Sequence, residues 1–157
     1  MTELTIRDAT LADLAAVVAL LADDEKGRSR ETPKGELDAC YVEAFAAIAD
    51  DPHQNLLVAE QGGAIVGTFQ LSFLPGLSFR GAWRGQIEAV RIAGHLRGQG
   101  LGRTMIEWAI ERCRARGCRM VQLTTHRSRH RAHVFYERLG FEPTHVGMKL
   151  HLRDGAV

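Results

Sequence analysis

Three glycines stand at alternate positions, 98, 100 and 102, in the stretch "RGQGLGR", which has an arginine at each end. Glycine weakens a helix or strand by about 0.5–1 kcal/mol relative to alanine, so this spacing indicates a backbone that side chains would obstruct. A helix that begins at such a turn presents free N–H groups and the positive end of its dipole, which together bind phosphate. Because Arg97 and Arg103 flank it, the stretch favours a diphosphate ligand. A tight turn that binds nothing is the alternative.

Two familiar nucleotide-binding patterns do not fit this stretch. The dinucleotide fingerprint Gly-x-Gly-x-x-Gly, started at Gly98, needs a glycine where Arg103 stands, and no Gly-Lys-Ser/Thr follows as in a P-loop. The sequence therefore supports neither a Rossmann dehydrogenase nor a P-loop ATPase.

Alternation and helical spacing predict the elements that position the glycines. Strands are predicted at 4–6, on both sides of a turn at 61–63 within 55–73, at 86–93, at 120–125 and at 146–152. Helices are predicted at 11–21, 36–50, 101–116 and from Ser128, a candidate N-cap, to Gly140. The glycines thus lie between a strand and a helix, in an α/β domain whose mixed sheet has helices on its faces.

Length and composition predict one globular domain, 1–157, since 157 residues are too few for two comfortable ones. No apolar run approaches the roughly 20 residues of a membrane span, which argues against a membrane partner. The start "MTELTIRD" lacks the pattern of a secretory leader, so a cytoplasmic location is expected. Cys40, Cys113 and Cys118 form no C-x-x-C pair, which disfavours a disulfide framework and a thiolate zinc site.

The net charge of +1 hides two oppositely charged halves. Residues 1–60 hold thirteen Asp and Glu against five Lys and Arg, whereas residues 61–157 hold six against fifteen. Either these charges are scattered over a solvated surface, or the first half faces a cationic partner and the second a polyanionic one.

Two motifs carry a resemblance to a known family. "RGQGLG", Arg97 to Gly102, resembles the acetyl-CoA signature Arg/Gln-x-x-Gly-x-Gly/Ala of the GNAT superfamily of N-acetyltransferases. "FYERLGF", Phe135 to Phe141, resembles that family's second landmark, in the expected order. The resemblance implies a mixed, mostly antiparallel central sheet flanked by helices, acetyl-CoA as cosubstrate, transfer of an acetyl group to a primary amine, and a homodimer as a plausible assembly.

The resemblance also assigns the residues that would bind acetyl-CoA. The main chain of Val90, Arg91 and Ile92 would pair with the pantetheine arm, and the N–H of Ile92 or its neighbour would polarise the acetyl carbonyl, as an oxyanion site made from backbone. The pyrophosphate would lie against the turn formed by Arg97, Gly98, Gln99, Gly100, Leu101 and Gly102, with Arg103 beside it.

Two side chains resemble the family's acid and base. Glu88, in the strand before the turn, would remove a proton from the amine, directly or through water, because an alkyl ammonium with a pKa near 10 leaves roughly one molecule in a thousand reactive at neutral pH. A surface glutamate, or a partner for Arg91, is the alternative. Tyr136 would protonate the departing sulfur, and a purely structural tyrosine is the alternative.

The segment "HRSRHRAH" departs from the family pattern. Arg129 stands where many relatives have an asparagine that contacts the cofactor, so that amide contact is not expected here. Attraction of Arg129 to the CoA phosphates is expected instead, and simple solvation is the alternative. His126, His130 and His133 fall at helical spacing, but the neighbouring arginines disfavour another cation, so no metal site is predicted.

The acceptor follows from charge. The two N-terminal helices and their loop usually wall the acceptor side in this fold, and here the acidic residues Asp23, Asp24, Glu25, Glu31, Glu36 and Asp38 lie in them. These carboxylates favour a small cationic amine, although Lys26, Arg28 and Arg30 in the same loop would suit an anionic one. Two rival functions remain: a catalytically idle acyl-CoA sensor, and a nucleic-acid-binding module, which a 6% aromatic content and a near-neutral charge disfavour.

Overall fold

Five strands form one sheet in which each strand lies beside the next one in the chain. The computed structural model describes residues 3–24 and 26–152. The strands are β1 (Leu4–Asp8), β2 (Gln54–Gln61), β3 (Ala64–Leu74), β4 (Arg84–Ile92) and β5 (Met120–Leu123). Neighbouring strands are antiparallel from β1 to β4, and β4 and β5 are parallel. The predicted mixed, mostly antiparallel sheet is confirmed.

Helices connect and cover the strands. They are α1 (Leu14–Ala22), α2 (Ala39–Asp50), α3 (Ser78–Gly81), α4 (Leu101–Ala115) and α5 (His130–Arg138). The four residues of α3 make a turn that is left-handed at Phe79 and Arg80. In the two described ranges no helix is long and apolar enough to cross a membrane.

Two predicted boundaries at helix starts were wrong. The N-cap of α5 is Arg129 and not Ser128, because the Ser128 hydroxyl pairs with Nδ1 of His126 at 2.7 Å instead of turning to the helix. Helix α2 begins at Ala39 rather than at residue 36, after Asp38 in an extended conformation.

The core lies between the sheet and α4. Phe69 and Leu71 of β3, Ile87 of β4 and Met105 and Ala109 of α4 are almost completely buried. Their spacing follows from the two periods, two residues along a strand and three to four along a helix, that the sequence shows. This packing fixes the start of α4 against the end of β4, which is where the glycine-rich turn lies.

The predicted final strand at 146–152 was wrong for this chain. Val146, Met148, Leu150 and Leu152 do alternate, but the segment pairs with no described strand, and their exposed fractions are 88%, 92%, 85% and 89%. Alternation shows which side chains share a face, whereas a strand also needs a neighbouring backbone to bond with.

Candidate functional site

Strands β4 and β5 part half-way along β4. Their ladder ends at the pair Ile87 and Leu123, where β5 stops while β4 continues to Ile92. The last five residues of β4 therefore border an opening on the side where β5 would otherwise lie.

A bulge lies in this part of β4. Gln70 pairs with Glu88, but the next paired residue of β3, Thr68, lies opposite Arg91, so β4 has one extra residue there. Ala89, inside the bulge, has a φ of 52°, a left-handed conformation that costs a non-glycine residue roughly 1–2 kcal/mol. Backbone strain of this kind concentrates at functional sites.

The glycine-rich turn lies next to the opening, at the N-terminus of α4. Gly98 and Gly100 have φ values of 80° and 89°, and a Cβ on either would meet no atom within 4 Å. Gly102 serves packing instead, since a Cβ there would lie 2.9 Å from Cδ1 of Ile92. The turn thus combines open space, a left-handed backbone and the unpaired N–H groups of a helix start, which together suit a phosphate group.

The two arginines that flank the turn have partners within the protein. Nη2 of Arg97 donates to the main-chain oxygen of Asp23 at 2.6 Å, and its Nε donates to the carbonyl of Ile92 at 3.2 Å. Nε of Arg103 donates to Oε1 of Glu107 at 2.8 Å, one turn further along α4. Both side chains stay at least half exposed, so their charges still face the solvent beside the turn.

Side chains also engage the main chain of β4 at the opening. Nη1 of Arg91 donates to the carbonyl of Val90 at 2.9 Å, as Arg97 does to Ile92. A ligand that pairs with this edge would share or displace those contacts.

Asp24, in the loop after α1, joins two arginines from distant parts of the chain. Its Oδ2 lies 2.8 Å from Nη2 of Arg129 and 3.3 Å from Nε of Arg91, and its Oδ1 accepts from the N–H of Gly27. Burial would raise the pKa of Asp24, but the hydrogen bonds from Gly27 and Arg129 and the charge of Arg91 outweigh it and hold the pKa at about 2. Arg129 is therefore fixed against the loop.

The side chain of Arg91 is 12% exposed. Around it, more arginine than carboxylate side chains come together. Burial lowers the pKa of Arg91, as do the charges of Arg129 and Arg30, while Asp24 and Glu31 oppose the shift. Among the residues that the structure describes, the buried Nε atoms of Arg30 and Arg91 make no hydrogen bond, although they lie 3.6 Å from Oε1 of Glu31 and 3.3 Å from Oδ2 of Asp24 in ion pairs. We call Arg30, Arg91 and Arg129 the arginine cluster. Counted with the carboxylates of Asp24 and Glu31, the cluster has one more positive than negative charge.

Tyr136 lies within the electrostatic reach of this cluster. Its ring packs edge-on against Phe135 and Phe141, with centroid distances of 5.0 and 5.7 Å. Burial raises the pKa of Tyr136, and the charges of Arg91 and Arg129 oppose that shift. The phenol consequently stays protonated throughout the neutral range.

Glu88 stands at the bulge, directly before Ala89, with an exposed side chain. Arg91, its alternative partner in the sequence, forms its ion pair with Asp24 instead. Within residues 3–24 and 26–152, the Glu88 carboxylate makes no ion pair or hydrogen bond, so it is available to a ligand in solvent.

The three histidines at helical spacing do not converge. Nδ1 of His126 pairs with Ser128, and Nε2 of His133 lies 3.1 Å from the main-chain oxygen of His126. His130 and His133 pack edge-on with their centroids 6.0 Å apart. Across the described part of the chain, no three His, Cys, Asp or Glu side chains come together as a metal site requires.

Sequence reasoning missed the role of the loop after α1. Asp23 and Asp24 were expected to offer their charges to an acceptor, but they bind Arg97, Arg91 and Arg129. The opposite net charges of residues 1–60 and 61–157 could have indicated this role. Here the acidic residues of the first half neutralise arginines of the second half within the same chain. Glu25, counted with the same acidic residues, lies outside the described residues.

Comparison with known proteins identifies the family of this chain. A family model described as "Acetyltransferase (GNAT) family" matches residues 15–141. The chain belongs to the GNAT acetyltransferase family. Members of this family use acetyl-CoA as the acyl donor, so the enzyme class and the cosubstrate predicted from the two motifs are confirmed.

Three proteins of known name or structure are similar to this acetyltransferase over most of its length. It is 32% identical over 141 residues to aminoalkylphosphonate N-acetyltransferase of Salmonella typhimurium, covering 89% of this chain and 86% of that one. It is 29% identical over 140 residues to L-methionine sulfoximine/L-methionine sulfone acetyltransferase of Pseudomonas paraeruginosa, covering 88% and 80%. A crystal structure described as a transcriptional regulator from Bacillus halodurans C-125 has a TM-score of 0.93 and 47% identity, covering 96% and 100%.

Proposed function

We propose that this acetyltransferase moves the acetyl group of acetyl-CoA to the primary amine of a small molecule that also carries an acidic group. The observation that carries the proposal is the arginine cluster, Arg30, Arg91 and Arg129, which has an excess positive charge beside the opening of β4. Charge-assisted N–H donors of this kind recognise carboxylate, phosphate and phosphonate groups. Two relatives, by their names, act on an aminoalkylphosphonate and on a methionine derivative, both amines with an acidic group.

The donor side of the site suits the two polar parts of acetyl-CoA. The open space over Gly98 and Gly100 and the helix start at Leu101 would hold the diphosphate, with the N–H groups of residues 97–102 as donors. The exposed charges of Arg97 and Arg103 would attract it. The edge of Val90, Arg91 and Ile92 would pair with the pantetheine arm, and a main-chain N–H near Ile92 would polarise the acetyl carbonyl.

Acetyl-CoA supplies a thioester, a carbonyl already activated toward amines. The overall reaction forms a C–N bond and breaks a C–S bond, while the amine loses one proton and the sulfur gains one. Glu88 would accept the amine's proton, directly or through water, because its carboxylate makes no ion pair or hydrogen bond with residues 3–24 or 26–152. Its place one residue before the strained Ala89 keeps it at the opening.

Tyr136 would give the proton to the sulfur. Its phenol is held protonated by burial and lies in the field of Arg91 and Arg129, which stabilises the negative charge that forms on the oxygen. A hydroxyl that only orients the sulfur would fit the same position, and kinetics of Tyr136→Phe separate the two roles.

A small cationic amine is the second candidate acceptor. The excess of carboxylates in residues 1–60 favours it, although Asp23 and Asp24 already pair with arginines. The carboxylates left for such an amine would be Glu88 and those of the loop before α2.

The test is CoA release from acetyl-CoA with a panel of amines: an aminoalkylphosphonate, an α-amino acid, an amino-sugar phosphate, a neutral amine and a polyamine. We expect the highest kcat/KM for an acceptor with an acidic group, and a loss with Glu88→Gln for every acceptor that is turned over. Preferred turnover of the polyamine would reject the acidic acceptor and leave the acetyltransferase assignment intact.

Arginine variants make the test specific. Arg30→Gln removes one positive charge of the cluster and is expected to raise KM for the acidic amine about 10–100-fold, the effect of losing one charged hydrogen bond. Arg131→Gln is the matched control, since Arg131 is an exposed arginine on α5. Equal effects of the two variants would show that overall charge, and not the cluster, attracts the acceptor.

A further inference from the structure

A row of polar, uncharged side chains crosses four strands of the sheet. Side chains of directly paired residues point to the same face of a sheet. From β2 to β5 the paired residues are Gln54, Ser72, Gln86 and Gln122. Gln70 lies on this face as well, two residues before Ser72 in β3. We call these five residues the amide row.

The amide row lies on the same face of the sheet as Glu88. Phe69 packs edge-on against Trp108 of α4, with the ring centroids 6.1 Å apart, so its neighbour Gln70 points away from α4. Gln70 pairs directly with Glu88, which places their Cβ atoms about 5 Å apart. Gln86 stands two residues before Glu88 in β4, at a distance of about 7 Å. An amine at the Glu88 carboxylate would therefore bring the rest of its molecule within reach of the row.

The protein uses only part of the hydrogen-bonding capacity of the row. Oε1 of Gln54 accepts from Nε2 of Gln70 at 3.0 Å and from the hydroxyl of Ser72 at 2.6 Å. Oε1 of Gln86 accepts from Nε2 of Gln122 at 2.6 Å. Within residues 3–24 and 26–152, no partner is bonded to the other amide atoms, which are Nε2 of Gln54, Oε1 of Gln70, Nε2 of Gln86 and Oε1 of Gln122. The four glutamines are half-buried, and none of these atoms is closed off from solvent.

We infer that the amide row binds an uncharged polar group of the acceptor, one that both donates and accepts hydrogen bonds, such as a carboxamide or a hydroxyl. The inference rests on the proposed transfer of an acetyl group to a small amine. The open atoms of the row are two N–H donors and two carbonyl acceptors without charge, so they match a group of the same kind. An apolar group in this place would cover the amides and leave them without water or a partner, which is unfavourable.

The position of Glu88 between two kinds of polar group defines the shape of this acceptor. Arg91, of the arginine cluster, follows Glu88 by three residues, and Gln86 precedes it by two. An acidic group and an uncharged polar group would therefore extend in opposite directions from the amine. An α-amino acid with an uncharged polar side chain has this arrangement, because its carboxylate and its side chain diverge from the carbon that bears the amine.

The experiment compares acceptors that differ in the group facing the row. Free glutamine is compared with norleucine, and 4-aminobutanamide with pentylamine, a second pair in which both amines lack the carboxylate. In the unchanged protein we expect kcat/KM to be about tenfold higher for the carboxamide of each pair, and Gln86→Leu should abolish this preference. Gln61→Leu is the matched control, since Gln61 is a half-buried glutamine at the other end of β2. It should keep the preference.

A charged variant of the same residue provides the second readout. Gln86→Glu adds a carboxylate to the row, so free arginine, with its guanidinium, should gain about tenfold in kcat/KM relative to free glutamine. The ratio of two acceptors on one variant cancels any change in the reactivity of Glu88. Titration calorimetry with acetyl-CoA shows that each variant is folded.

Four outcomes would overturn the inference: equal kcat/KM within both pairs, a preference that Gln86→Leu leaves intact, the same loss with Gln61→Leu, or no turnover of any of the four amines by a protein that binds acetyl-CoA. A carboxamide preference found only in the pair without a carboxylate would reject the acidic acceptor of the proposed function. It would support the amide row, so the two proposals fail separately.

Discussion

Oδ2 of Asp24 lies 2.8 Å from Nη2 of Arg129, although 105 residues separate them in the chain. This contact ties the loop after α1 to the N-terminus of α5. Because the same carboxylate faces Arg91 at 3.3 Å, one residue holds three elements around the site.

Asp24→Asn should lower the free energy of unfolding by about 2 kcal/mol at pH 7, the value of a pKa held near 2 rather than near 4. The folded pKa is depressed, so the carboxylate stabilises the fold above pH 4 and loses this effect as the pH falls toward 2. Urea unfolding at several pH values measures it, and the difference between wild type and variant should shrink in acid.

Asp50→Asn is the control for this measurement, since Asp50 is exposed at the end of α2. It should change the unfolding free energy little at any pH. A gap between wild type and Asp24→Asn that stays constant down to pH 2 would show that the carboxylate's charge is not what stabilises the loop.

Gly98→Ala and Gly117→Ala form a matched pair. Their φ values are 80° and 79°, and a Cβ on either meets no atom within 4 Å, so each should lose about 1–2 kcal/mol of stability through backbone strain. Only Gly98→Ala places a methyl group over the turn that would bind the diphosphate, so only it should weaken acetyl-CoA binding, about tenfold. Urea unfolding and titration calorimetry measure the two effects, and equal affinities would place the diphosphate elsewhere.

The strand, the glycine-rich turn and the helix at 101–115 could be predicted because their signals are local. Gly98 and Gly100 have positive φ values, which other residues rarely adopt. The spacing of the apolar residues in α4 determines which face of the helix packs on the sheet. The hairpin at Gly62 and Gly63, with φ values of 60° and 79°, is local in the same sense.

The parts of the site that could not be predicted depend on contacts between distant residues. No local pattern distinguishes a carboxylate that binds Arg91 and Arg129 from one that faces solvent, so Asp24 was expected to be free for an acceptor. The prediction of a final strand was wrong for a related reason. The alternation of Met148 and Leu150 is visible in the local sequence, but whether a neighbouring strand is there to pair with them is not.

Ala89 offers a test of the strained bulge. Asparagine tolerates left-handed φ values and valine does not, so Ala89→Val should cost about 1–2 kcal/mol more than Ala89→Asn in the free energy of unfolding. Urea unfolding of both variants measures the difference. If both variants were equally stable, the bulge would have a different backbone in solution.

Tyr136→Phe tests whether the Tyr136 hydroxyl donates the proton that the departing sulfur gains. Burial holds the pKa of Tyr136 above its usual value near 10, so the kcat of the wild type should show no loss from phenol ionisation below pH 10. The variant should lose about 100-fold in kcat at every pH, the lower end of the range for a general acid, with KM for acetyl-CoA nearly unchanged. Steady-state kinetics from pH 6 to 10 measure both quantities. A raised KM with an unchanged kcat would mean that the hydroxyl only orients the sulfur, because a positioning contact acts on binding and a proton donor acts on the chemical step.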